Sequence, residues 1–86
     1  MARFDVKVIN NPSFNIFRLK LESSDIKSFF TLKVVDALGR LVEVKQNLIA
    51  GQVTEIGSKY VQGSYFAEVT QGTQRKVLTL IKGGRQ

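Results

Sequence analysis

The sequence predicts an all-β protein, an immunoglobulin-like β-sandwich of about seven short antiparallel strands in two sheets. Three observations carry that expectation. Apolar and polar residues alternate with period two along most of the chain, and no helical period is sustained. Turn residues recur at a spacing of roughly ten. The length of 86 residues, with 43% hydrophobic and 23% charged side chains, suits one domain with one modest core and is unlike a disordered chain. Two layers are needed, because a single small sheet would leave one apolar face wet, whereas sheets packed about 10 Å apart bury both inward rows.

Each element follows from its local pattern. "FDVKVI" sets Phe4, Val6 and Val8 against Asp5 and Lys7. "NNPS" ends that run, since Pro12 has no N–H for a ladder and biases Asn11 toward extended geometry. "NIFRLKL" turns Phe17, Leu19 and Leu21 inward against Ile16, Arg18 and Lys20. After the polar loop "ESSD", the stretch "FFTLKVV" buries Phe30, Leu32 and Val34. "LVEVK" follows, with Val42 and Val44 expected inward, and "NLIAG" closes that excursion. A short "VTEI" precedes the loop "GSKYVQG"; then "SYFAEVT" offers Tyr65, Ala67 and Val69 to the core. The last run, "RKVLTLIK", is apolar on both parities, Leu78 and Leu80 as well as Val77 and Ile81, so the pattern leaves its buried face open and allows cover on both sides. Phe14, Ile16, Phe29, Val35 and Phe66 fall on nominally outer faces; grouped, they would make a docking patch.

Between the third and fourth runs lies "DALGR". Asp36 begins a turn, Ala37 and Leu38 take right-handed angles, and Gly39 supplies the positive φ that closes it with a bulge. The Asp carboxylate accepts from a backbone N–H two residues on. Arg40 is read as solvated or paired with Asp36, because a lone Asp beside an Arg lacks a nucleophile, a second carboxylate or a metal ligand.

Composition narrows the chemistry. The chain has no Cys and no His, which removes disulfides, thiolate metal sites, imidazole bases and every His-based triad. No catalytic, cofactor-binding or metal-binding residues are expected. No stretch approaches the roughly 18 apolar residues of a spanning helix, so no membrane insertion is expected. "MARFDVKV" lacks the apolar region and cleavage site of a secretory leader, so the leader of an exported parent would lie elsewhere. The net charge of +6 is mostly interleaved with acids, as on solvated strand faces. The exception is the end. After Glu68 no acid follows, while Arg75, Lys76, Lys82 and Arg85 do, giving a basic last strand whose lysines guard an edge or meet an anionic partner.

With those residues in place, the chain from about Asn10 to Lys82 resembles the C-terminal sorting domain of the type IX secretion system, the Por secretion tail family. Asn11-Pro12 near the domain start, Asp36 to Arg40 with Gly39 in the turn, Gly63-Ser64-Tyr65-Phe66, and the basic-aliphatic Lys76 to Lys82 stand in that family's order and spacing. Tyr60 stands where the family usually has Leu, and "GGRQ" extends past its usual last Lys. The resemblance implies a non-catalytic address tag. It directs its parent protein across the outer membrane through a translocon that reads it in the periplasm, with removal by a sortase-type cysteine protease and anchoring at the cell surface in many cases. It also implies an upstream cargo domain in the same polypeptide and a final location at the surface or outside the cell. Recognition is expected at the last strand, used as an edge or through its lysines; Gly63, Tyr65, Lys76, Leu78, Leu80 and Lys82 are its candidates. The plainer reading makes Gly63 a loop residue and Tyr65 a core aromatic whose hydroxyl reaches the backbone as a tyrosine corner.

The domain is expected over residues 4–82, with 1–3 a linker or an added start and 83–86 a tail. It is expected to be a monomer, or a weak dimer through edge strands. A carbohydrate-binding or adhesion sandwich of a secreted enzyme is the alternative, weakened by the absence of Trp and the presence of only two Tyr for sugar stacking. A nucleic-acid-binding barrel is the third reading, resting on charge and aromatic strands; the interleaving of acids argues for no nucleic-acid partner.

Overall fold

Alternating side chains become two facing apolar rows in the computed structural model, which describes residues 3–83. The strands are β1 (Phe4–Val8), β2 (Phe17–Ser23), β3 (Phe30–Asp36), β4 (Leu41–Leu48), β5 (Val53–Ile56), β6 (Gly63–Gln71) and β7 (Gln74–Lys82). They form a three-stranded sheet in the order β1-β2-β5 and a four-stranded sheet in the order β4-β3-β6-β7, with every adjacent pair antiparallel. The sheets do not close into a barrel. β4 pairs with β3 rather than joining the sheet of β1, β2 and β5, unlike the constant-type immunoglobulin arrangement. The readings of 1–3 as linker and 83–86 as tail fall mostly on Met1, Ala2 and Gly84 to Gln86, which lie outside the described residues.

The core is the one the alternation predicts. Val6, Phe17, Leu19 and Leu21 come from one sheet; Phe30, Leu32, Val34, Tyr65, Ala67, Val69 and Leu80 come from the other. Phe4 and Val8 pack at the margin, and the Phe4 ring stacks on Phe30 with centroids 5.7 Å apart. The ambiguity of the last run resolves to one face: Leu80 is fully buried and Leu78 half-buried, whereas Val77 and Ile81 are exposed.

The fourth strand corrects the alternation. Val42 and Val44, expected inward, are both exposed. Phe30 pairs with Leu48, but Leu32 pairs with Lys45 and Val34 with Glu43, because the register shifts between Phe30 and Leu32 and again between Val34 and Val35. Asn47 takes a φ of 61° at the first of these irregularities. One extra residue there reverses the parity of everything before it. Leu48 therefore stays buried while Val44, opposite the exposed Lys33, faces out. Glu43 and Lys45 take the inner side in their place, at an edge that β1, β2 and β5 leave uncovered.

Candidate functional site

The turn from Asp36 to Arg40 forms as its residues dictate. Gly39 N donates to Asp36 O at 2.9 Å, and Gly39 has a φ of 84°. The Asp36 carboxylate accepts from Leu38 N at 2.9 Å and Arg40 N at 3.0 Å through Oδ1, and from Arg40 Nε at 2.8 Å through Oδ2. Arg40 thus closes the turn as Asp36's partner. These bonds, first of all that from the Arg40 backbone N–H, hold the Asp36 carboxyl below its ordinary value.

Tyr65 lies beside this turn, paired across strands with Asp36. Its ring is buried and its hydroxyl donates to Val61 O at 2.7 Å. That is the tyrosine corner expected from sequence, tying the β5–β6 connection to the core. Gly63, at the head of β6 with a φ of 151°, pairs with Lys82, and Tyr65 pairs with Leu80.

The Asn-Pro motif proves to be a fastener for the last strand. The chain turns through a cis Asn11-Pro12 bond. The Asn11 amide lies along the free edge of β7, where Nδ2 donates to Thr79 O at 2.8 Å and Oδ1 accepts from Ile81 N at 2.9 Å. A side-chain amide offers the same donor and acceptor as a peptide unit, so Asn11 stands in for a neighbouring strand. Ser13 continues the contact through its backbone: Ser13 N donates to Ile81 O at 3.0 Å and Gly83 N donates to Ser13 O at 2.8 Å. Asn10 fixes the loop to β2, donating to Ile16 O at 2.6 Å and accepting from Arg18 N at 2.9 Å. The Phe14 ring covers Gly83, where a Cβ would collide with it.

Lys82 completes the clasp from inside. Its side chain is 5% exposed, and Nζ donates to Asn15 O and Gly57 O. A buried ammonium is stable only when its donors are taken; here it joins the loop before β2 to the loop after β5. Toward the other end of β7, Lys76 Nζ donates to Asp5 Oδ1 at 2.6 Å, and that oxygen also accepts from Val6 N at 2.9 Å. The Lys76 hydrogen bond is the main reason the Asp5 carboxyl sits below its ordinary value. Arg75 pairs with Glu68.

Of the residues singled out from sequence, Asn11, Pro12, Asp36, Gly39, Arg40, Gly63, Tyr65, Leu80 and Lys82 gather at one end of the sandwich, while Lys76 and Leu78 lie further along β7 toward the other. Tyr65, Leu80 and Lys82 are interior. The outer apolar residues group only in part. Val35 and Phe66 are cross-strand partners, with Leu41 on the far side of Val35. Phe14 covers Gly83, and Ile16 lines a cleft. Sequence reading missed Asp5, Ser13 and Asn15, whose contacts join positions up to 71 residues apart; alternation carries no such signal.

That cleft, about 720 Å³, lies where β4 extends beyond β5, with Tyr60 and Tyr65 in its wall. Their ring centroids are 4.6 Å apart. Tyr60 OH donates to Glu43 Oε1 at 2.8 Å, and burial, reinforced by that carboxylate, pushes the Tyr60 hydroxyl far above its ordinary value. No group of acids able to hold a metal ion occurs among the described residues.

A fastened last strand, an interior built for packing and polar groups spent on holding loops define a small two-sheet β-sandwich domain. A family model described as "Secretion system C-terminal sorting domain" matches residues 7–83, nearly the whole chain, and the protein belongs to that family. No curated protein and no solved structure matches. The family is the C-terminal sorting signal of type IX secretion and is not catalytic. Membership means a secreted parent protein exported through the outer membrane, a secretion system that recognises this domain, and a cargo domain upstream in the polypeptide.

Proposed function

We propose that this domain carries its cargo through the periplasm to the outer-membrane translocon as a folded signal without enzymatic activity of its own, and that a sortase-type cysteine protease then removes it at the cell surface. The observation that carries the folded-signal reading is the clasp on β7. Asn11, Ser13 and Lys82 hold the last strand by its edge, its end and its interior side chain. In this reading Gly63, Tyr65, Leu80 and Lys82 serve recognition by setting the shape that is read, since the last three have little surface of their own to offer. Lys76 and Leu78, partly exposed along β7, are the members of the set that a receptor reaches.

Fusing residues 3–86 to a periplasmic reporter in a bacterium with this secretion system tests it. The reporter is expected outside the cell or on its surface, and deletion of residues 74–86 is expected to leave it in the periplasm. Retention of the intact fusion in the periplasm would defeat the reading. Cleavage is read separately, as loss of the domain's mass from surface reporter in cells with the protease and its persistence in cells without it.

A further inference from the structure

The outer face of the four-stranded sheet is unlike that of its partner. Outside β1, β2 and β5 the side chains are mainly charged and engage one another, Arg18 with Glu55 at 2.9 Å and both Arg3 and Lys7 with Glu22. Outside β4, β3, β6 and β7 the half toward the Gly63–Lys82 pair is apolar. Leu41, Val35, Phe66 and Thr79 stand side by side in one row across the sheet, and Val44, Lys33, Glu68 and Val77 in the next. Ile81 flanks the first row on β7, whereas the far row, Thr31, Thr70 and Arg75, is polar. Val35 is half-buried, and Leu41, Val44, Phe66, Val77 and Ile81 are exposed. Single exposed aliphatics are ordinary, but adjoining ones on one face form a patch of the kind that partners cover.

The sheet edges, by contrast, are blunted. Asn11 occupies Thr79 O and Ile81 N on β7. Asp5 Oδ1 accepts from Val6 N on β1 at 2.9 Å, and Lys45 Nζ donates to Glu55 O on β5 at 2.8 Å. β4 is interrupted by its register shifts. Such devices discourage pairing edge to edge, which leaves the face as the apolar surface open to a partner.

Size and charge decide what kind of partner fits. From β4 to β7 and from Val77 to Ile81 the patch measures roughly 14 Å each way, at strand spacings of about 4.8 Å and about 3.4 Å per residue. A footprint of roughly 200 Å², even doubled for side-chain reach, falls short of the about 800 Å² per partner of a standard stable interface. The face therefore suits a transient contact rather than a permanent dimer. Lys33 borders the patch without an acidic partner among the described residues, and Glu68, the only acid among the outward side chains of these strands, is bonded by Arg75. A second copy would bring another unmatched lysine and no free carboxylate.

We propose that the secretion system reads the domain on this face, through a component that lays an uncharged aliphatic or aromatic surface over Phe66 and its neighbours and sets a carboxylate beside Lys33. Within the Gly63-Ser64-Tyr65-Phe66 motif, Tyr65 then serves the interior and Phe66 the contact. The proposal deepens the sorting function by locating the contact and naming its chemistry, and it rests on that function for the existence of the partner.

The test uses the reporter fusion of residues 3–86 with variants that keep strand-forming side chains. Phe66→Thr combined with Ile81→Thr is expected to lower the secreted fraction about tenfold, as loss of a central contact does, with folded reporter accumulating in the periplasm. Lys33→Gln is expected to lower it severalfold and Lys33→Arg to restore it. Lys20→Thr combined with Val53→Thr, on the outer face of the other sheet, is expected to secrete as the wild type does. Thermal unfolding of the 86-residue chain shows whether each variant folds. Val77→Thr, nearly isosteric at an exposed position, and Lys33→Gln carry the test should loss of the Phe66 ring unfold the domain. Sedimentation of the wild-type chain over the micromolar range is expected to show a monomer. Folded face variants secreted as well as the wild type would overturn the proposal, as would a dimer that Phe66→Thr dissociates, since a second copy would then be the occupant. Either result leaves sorting intact, whereas failure of the wild-type fusion strikes sorting itself.

Discussion

At the scale of single residues, the turn and the clasp make contrasting demands. Gly39 needs its positive φ but has open space around it, whereas Gly57 combines a φ of 95° with a Phe17 ring carbon 2.8 Å from where a Cβ would stand. Gly39→Ala is expected to cost about 1–2 kcal/mol from backbone strain alone, and Gly57→Ala distinctly more, because the side chain it strikes is a fully buried ring. Chemical denaturation of the two variants checks the order. Lys82→Ala orphans two inward carbonyls and is expected to lose about 2–4 kcal/mol, while Tyr65→Phe, which removes only the hydroxyl donating to Val61 O, is expected to lose about 1 kcal/mol. The same measurement finds the clasp reading wrong if Lys82→Ala proves as mild as Tyr65→Phe. Asp36, Gly39 and Tyr65 were legible in the sequence because each acts within a few residues of itself. Lys82 was not, since a lysine in an amphipathic strand gives no sign of pointing inward.

Among elements, β7 shows how an edge is managed. Asn11 occupies the edge at Thr79 and Ile81 as a strand would, so Asn11→Ala is expected to speed amide exchange at Ile81 by an order of magnitude or more while leaving exchange in β3, central in its sheet, unchanged. Asn11→Asp separates the two halves of the contact: an acceptor for Ile81 N remains, and the donor to Thr79 O is lost. Protection of Ile81 is therefore expected to survive in that variant. Protection of Ile81 unchanged in both variants would mean that the Ser13 backbone, not the Asn11 side chain, holds the edge. The strands themselves were readable because the apolar alternation is nearly unbroken, with β4 the exception. Val42, Val44 and Leu48 share one parity in the sequence but not one face in the fold, because the bulge near Asn47 intervenes. Period-two reading assumes a constant register, and nothing in "VEVKQNL" marks the extra residue.

For the molecule as a whole, acid stability follows from three aspartates. Asp5, Asp25 and Asp36 are all held below the ordinary value of 3.8, Asp25 chiefly by its hydrogen bond with the Ser28 side chain. A carboxyl whose value is lower in the folded than in the unfolded chain adds stability above its unfolded value, and that contribution is lost as pH falls through the folded one. Thermal midpoints are thus expected to be level from neutral pH to about pH 5 and to fall progressively below about pH 4; Asp36→Asn should flatten part of that decline. A midpoint that rises on acidification would contradict the assignment. The two-sheet architecture was evident from composition and period, whereas the cleft was hidden. It arises from three strands facing four, and the distribution of strands between sheets is a property of connections that local pattern does not encode.

The clasp also fixes how load passes through the domain. β1 begins near Phe30 and the head of β7, as the Phe4 stack and the Asp5–Lys76 bond show, whereas β7 ends beside Ser13 and Gly63. The two terminal strands therefore run the same way along a body 45 Å long and 23 by 19 Å across, with the chain entering at one end and leaving at the other. A pull between cargo and tail acts along the strands, so their cross-links are sheared together rather than peeled one at a time, and Asn11 and Ser13 add rungs at the point where the tail departs. Single-molecule stretching from the two termini is expected to show one cooperative rupture, at a force that Asn11→Ala lowers.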